Sequence, residues 1–149
     1  MKKIAGCLIL GLLSVSMSAS ATENRYASIT HTKESFLNQG YCSYEFSLDN
    51  GGSHMSLDNA GFGPLEITLQ MKDKKGSVIG NEVLEVEPFG EMGANRSMTA
   101  SLEIQCDDIG EFKVIKVVED KNGRKVQLPL SIFEPMNPEL AKMSVSESK

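Results

Sequence analysis

The chain has 149 residues, 40% of them hydrophobic, with Lys+Arg 15 against Asp+Glu 20 and a formal net charge of −5. That length bounds it to one domain large enough to bury its own core, and the negative balance excludes the basic footprint of a nucleic-acid or anionic-membrane binder. No apolar run approaches the roughly 20 residues of a membrane-spanning helix, so no membrane span is expected.

Met1, Lys2 and Lys3 make a short positive start, an apolar stretch runs from Ile4 to Val15, and Ala19-Ser20-Ala21 follows. This is the layout of a secretory signal over residues 1–21, with cleavage after Ala21 and a secreted or periplasmic destination. Ile4-Ala5-Gly6-Cys7 resembles a lipobox, but here the apolar core follows the cysteine instead of preceding it. Cys7 is therefore assigned to the discarded leader. Cleavage removes Lys2 and Lys3 but no acidic residue, so the mature chain is more acidic still.

The mature chain alternates apolar and polar residues, the period of strands with one buried face. Tyr26–Thr30 is a short first candidate. Cys42, Tyr44, Phe46 and Leu48 then alternate with Ser43, Glu45 and Ser47. Asn50 to Pro64 is rich in Gly, Asn and Ser and reads as an ordered loop, a sheet crossover or a hinge. Leu65, Ile67, Leu69 and Met71 alternate with Glu66, Thr68, Gln70 and Lys72. Asp73-Lys74-Lys75-Gly76 predicts a hairpin turn, followed by a weaker strand, Val83–Glu87. Met98, Ala100, Leu102, Ile104 and Cys106 alternate with Thr99, Ser101, Glu103 and Gln105. Phe112–Val118 and Val126–Phe133, joined by a second turn at Asp120-Lys121-Asn122-Gly123, bring the total to about seven strands. Asn137-Pro138-Glu139 looks like the start of a short helix. Residues 137–149 are expected to form a polar tail, frayed from Ser144 onward, so the folded domain is placed at 22–136.

The fold class that follows is all-β: an antiparallel sandwich of about seven strands, fibronectin-III-like or immunoglobulin-like, with one disulfide. Two cysteines survive in an oxidising compartment, Cys42 and Cys106, and an even count there reads as a bridge. Both fall on the inward parity of their strands, which predicts a buried, core-facing cystine. Tryptophan is absent, and Ile104 stands two residues before the second cysteine, where antibody-type domains carry a tyrosine. Both points favour a fibronectin-III-like or other variant sandwich.

Nothing in the sequence assembles a catalytic site, and no enzyme activity, metal or cofactor is expected. His31 and His54 lie in no metal-binding spacing, and Ser53 and Ser56 beside His54 have no nucleophile elbow around them. Asp107, Asp108 and Asp120 lack calcium-loop spacing and suit turn capping. Glu82, Glu85, Glu87 and Glu91 form an acidic run around Pro88, read as a solvated, aggregation-resistant edge or a docking surface for a basic partner. Asn95-Arg96-Ser97 matches a glycosylation triplet that a bacterial-type leader makes irrelevant. Met71 and Met98 read as core filler, and Met92, Met136 and Met143 as candidates for exposed contacts.

The leader MKKIAGCLILGLLSVSMSASA and the small mature domain carrying Cys42 and Cys106 resemble the interleukin receptor mimic family of pathogenic Escherichia coli. The resemblance spans essentially the full chain but rests on no functional motif, so it transfers no partner-binding residues. It implies a fibronectin-III-like domain similar to cytokine-receptor ectodomains, a domain-swapped homodimer, and binding to host interleukins such as interleukin-2, -4 and -10. Without tryptophan there is no WSxWS signature, so any mimicry would lie in shape. The residues themselves leave two other readings open: a periplasmic or pilus-related assembly factor acting by strand addition, and a small enzyme or inhibitor with a loop-borne site. A dimer would exploit open sheet edges and the Gly-rich Asn50–Pro64 connection as a swap hinge; the same connection also fits a loop on a monomer.

Overall fold

Strands whose alternate residues are apolar bury one face, and two such sheets laid face to face give a shared core. A computed structural model, describing residues 25–50, 61–90, 96–136 and 140–146, shows this arrangement. The strands are β1 (Ala27–Asn38), β2 (Tyr41–Asp49), β3 (Leu65–Asp73), β4 (Val78–Val86), β5 (Ser97–Gln105), β6 (Ile109–Lys121), β7 (Arg124–Gln127), β8 (Phe133–Met136) and β9 (Lys142–Val145). One sheet runs β5-β2-β1-β8; the other runs β4-β3-β6-β7, with β9 also paired to β6. The first seven strands make the fibronectin-III-like sandwich expected from the alternation.

The expected inward residues meet in the core. Tyr44, Phe46 and Leu48 of β2 and Ala100 and Leu102 of β5 face Leu65, Ile67, Leu69 and Met71 of β3, all buried. Phe112 and Val114 of β6 join them, and then the parity changes: the next buried residues are Val117 and Glu119. Thr68 pairs with Lys116 and Leu69 with Val114, so Ile115 is the extra residue of a bulge.

Turn chemistry behaves as read. Asn122 and Gly123 have φ of 54° and 88°, the left-handed pair of a two-residue hairpin, and Asp120 Oδ1 accepts the Gly123 N–H at 2.7 Å. Asp73 Oδ1 accepts the N–H groups of Lys75 and Ser77, both at 2.9 Å, closing the β3–β4 turn. A third tight turn, Gln39-Gly40 between β1 and β2, has φ of 48° and 82°. Neither residue pair nor flanking pattern announced it.

Several expectations need correction. β1 continues to Asn38 instead of stopping at Thr30, because register shifts after His31 and after Phe36 break the period that would have revealed it. β4 begins at Val78, five residues before the expected start, as an edge strand with few inward side chains to mark it. The single strand expected over Val126–Phe133 is divided by a 3-10 turn, Leu130–Ile132, that starts behind Pro129; proline lacks the N–H a continuing ladder requires. The sheets are not purely antiparallel, since β8 pairs parallel to β1 and β9 parallel to β6.

Residues 137–149 are not all tail. β9 includes Ser144, and Met143, expected as an exposed contact, is buried. Its thioether fills space beside β6, and the Ser144 hydroxyl bonds to Glu111. The helix start at Asn137-Pro138-Glu139, the leader, most of the Asn50–Pro64 connection with Ser53, His54 and Ser56, and Glu91, Met92 and Asn95 lie outside the described residues. No helix among the described residues is long and apolar enough to cross a membrane.

Candidate functional site

The disulfide joins Cys42 to Cys106, with Cα atoms 5.0 Å apart. Its setting differs from the expected one. β2 and β5 are neighbours in one sheet, so the bridge staples an edge strand to its partner. It is half-buried, because Cys106 lies one residue past β5 and Cys42 one residue into β2, at the end of the sandwich where the core runs out. The Cys106 N–H donates to Gly40 O at 2.8 Å, so the bridge also braces the Gln39-Gly40 turn.

His31 is the most unusual buried group. It is fully buried on β1, and neither ring nitrogen has a hydrogen-bond partner. Its ring sits against those of Phe112 (5.1 Å), Phe46 (5.2 Å) and Tyr44 (6.0 Å). Burial lowers its pKa from the ordinary 6.5, opposed by Glu34, whose carboxylate is 3.9 Å from Nε2, and by backbone groups of Ala141 and Lys33. The folded state thus binds fewer protons than the unfolded chain below 6.5, so this contribution to stability is intact above that pH and declines as pH falls towards the lowered folded value. His31→Phe is expected to reduce the loss of stability between about pH 7.5 and about pH 5, measured as the shift in urea midpoint. An equal shift in parent and variant would contradict it.

At the opposite end, Arg25 and Glu119 form a two-pronged ion pair, Nη1 to Oε2 at 2.7 Å and Nη2 to Oε1 at 2.8 Å, with side chains 12% and 3% exposed. Glu119 Oε2 also accepts the Gly63 N–H at 2.8 Å, and Arg25 donates to Gly61 O at 3.0 Å. The guanidinium lies 4.7 Å over the Phe62 ring, which in turn packs on Phe89. Alternation could not have announced this pair, since Glu119 looks like a solvated residue near a turn.

The expected acidic run is dispersed by its strand. Glu82 pairs with inward Leu69, whereas Glu85 pairs with outward Glu66. Glu85 and Glu87 border a cleft at the Pro88 end, where Lys125 Nζ reaches Glu66 at 2.7 Å. Asp107 and Asp108 sit beyond β5 and Asp120 at the far end of β6, so they share no site; Asp108 pairs with Lys74 at 3.1 Å. Among the described residues no three His, Cys, Asp or Glu side chains are grouped to hold a metal.

What the structure does gather is exposed apolar surface around the disulfide. Phe36 is 70% exposed, Tyr41 46% and Ile79 41%. Tyr41 and Ile79 line a groove of about 320 Å³ together with Met71, Ile104, Glu82, Glu103 and Asp107. Exposed apolar side chains that share one groove, as Tyr41 and Ile79 do, are material for an interaction surface.

Comparison with known proteins follows the same line. Residues 27–136 match the family of interleukin receptor mimic protein A. No curated protein matches. Among solved structures, one reported as the structural characterization of IrmA from Escherichia coli aligns with a TM-score of 0.70 and 42% identity, covering 77% of this chain and 94% of the other. On the fold, the family match and that identity together, the chain belongs to the interleukin receptor mimic protein A family.

Proposed function

We propose that this protein is a secreted bacterial binding module that mimics an interleukin receptor and engages host interleukins, without catalysis and without a cofactor. The observation that carries the reading is the family match over 27–136, which includes the first eight strands. The exposed Tyr41, in a groove with Ile79 next to the disulfide, supports it, because rigid aromatic anchors supply much of the affinity of protein interfaces. Export follows from the leader, Met1 to Ala21. A two-fold dimer would present two binding faces and raise avidity without new contacts.

The test is a surface-binding assay of the mature protein, beginning at Thr22, against a panel of human interleukins including interleukin-2, -4 and -10. Saturable binding to at least one member is the expected result. Absence of binding to every member up to about micromolar concentration would remove the reading, since specific receptor-like interfaces bind more tightly than that. Light scattering on the same sample reports the dimer, and a monomer mass throughout would discard it.

A further inference from the structure

The groove beside the disulfide lies where the sandwich is open. β4 ends one sheet and β5 ends the other, and the two strands approach each other across the opening. Tyr41, Met71, Ile79 and Ile104 supply its apolar lining. Register places Phe36, Cys42 and Ile104 in one row across β1, β2 and β5, so Phe36 extends the same apolar face outward. The three charged residues of the lining, Glu82, Glu103 and Asp107, are all carboxylates.

Apolar floor and acidic rim set different demands on an occupant. Covering Tyr41, Ile79 and Ile104 removes apolar area from water and is favourable. Covering the carboxylates without a counter-charge is costly, so the occupant must bring cations to the rim. A second copy of this chain, itself net negative at −5, would set the same carboxylates against each other if it docked face to face. An anionic membrane is repelled for the same reason. The cleft at the Pro88 end is also acidic, with Glu66, Glu85, Glu87 and Asp120 against Lys125, but its aliphatic side chains, Leu65 and Val86, are buried, so it offers an occupant little apolar area to cover.

We propose that this groove is the docking surface for a protein partner and that it takes an amphipathic segment with apolar side chains flanked by Lys or Arg, the pattern of a basic helix laid into a groove. This rests on the reading of the chain as a binding module and adds to it the place and the chemistry of the contact.

The experiment has two arms on the mature protein. In the first, the interleukin panel is measured against parent, Glu82→Lys/Glu103→Lys, Tyr41→Ala, and a control, Glu87→Lys, placed at the other end. Reversal of the rim is expected to weaken binding about tenfold or more, with the parent's affinity falling as NaCl rises, while the control stays near parent. Equal affinity of the rim variant and the parent would overturn the groove and leave the binding role standing. In the second arm, a synthetic amphipathic Leu/Lys helix and its Leu/Glu counterpart are titrated into isotope-labelled parent protein, whose own fold is not in question. Amide shifts centred on Tyr41, Ile79 and Ile104 with the Lys peptide alone support the proposal even if no interleukin binds. Shifts centred elsewhere, equal shifts with both peptides, or groove shifts that track protein concentration without peptide, the mark of a second copy, overturn it.

Discussion

Glu119→Ala is expected to destabilise the protein by about 3–5 kcal/mol, the largest effect of any single side chain away from the hydrophobic core. The reason is what remains. Arg25 would keep its charge with its side chain only 12% exposed, and the Gly63 N–H would lose its acceptor. The intact pair is a different matter, because desolvation offsets much of the attraction between buried ions. The double variant Arg25→Met/Glu119→Met should therefore recover most of the loss, as apolar groups of similar reach fill the space over Phe62. Urea unfolding of parent, single and double variants measures both. A single variant within about 1 kcal/mol of the parent would show that the charge left behind finds water, and the buried-pair account would be abandoned.

Cys106→Ser is expected to cost about 2–5 kcal/mol, as for native disulfides of small secreted domains. The two cysteines are 64 positions apart, and closing a loop of that length restricts the unfolded chain by roughly 4 kcal/mol in the chain-entropy treatment. The location adds a local consequence. β5 is an edge strand, and beyond Gln105 it is held to β2 by the cystine and by the Cys106–Gly40 hydrogen bond. Amide exchange in the variant should therefore rise first at Glu103, Ile104 and Gln105, before the core strands respond. Thermal unfolding with and without reductant checks the global effect, and equal midpoints would refute it.

The sandwich was legible because the determining information is local. Period-two alternation in Leu65–Met71, Tyr44–Leu48 and Met98–Ile104 states which side chains leave water, whatever those strands pair with. The Asp-start, Gly-end turns at Asp73–Gly76 and Asp120–Gly123 are local as well, since a side-chain oxygen and a positive φ act within four residues. Where alternation failed, a bulge or a sparse face was responsible. The register shifts in β1 hid half of that strand, and β4 carries few buried residues because its outer edge is free.

The candidate site was barely legible. Tyr41, Ile79 and Ile104 lie on three different strands, and each read singly is an ordinary strand residue. Glu82, Glu103 and Asp107 become one rim only when β4 and β5 end opposite sheets.

The sequence by itself determined the all-β class, the inward faces and the identity of the bridged cysteines, because alternation and cysteine count are carried by neighbouring residues or by composition. Tertiary structure alone decided that the cystine lies within one sheet, that Lys142–Val145 adds a strand beside β6, that His31 is buried without a hydrogen-bond partner, and that Arg25 meets Glu119. The physical reason is common to all four. Each depends on which strands become neighbours across long stretches of chain, and that is set by the packing of two whole sheets and not by any segment's own pattern.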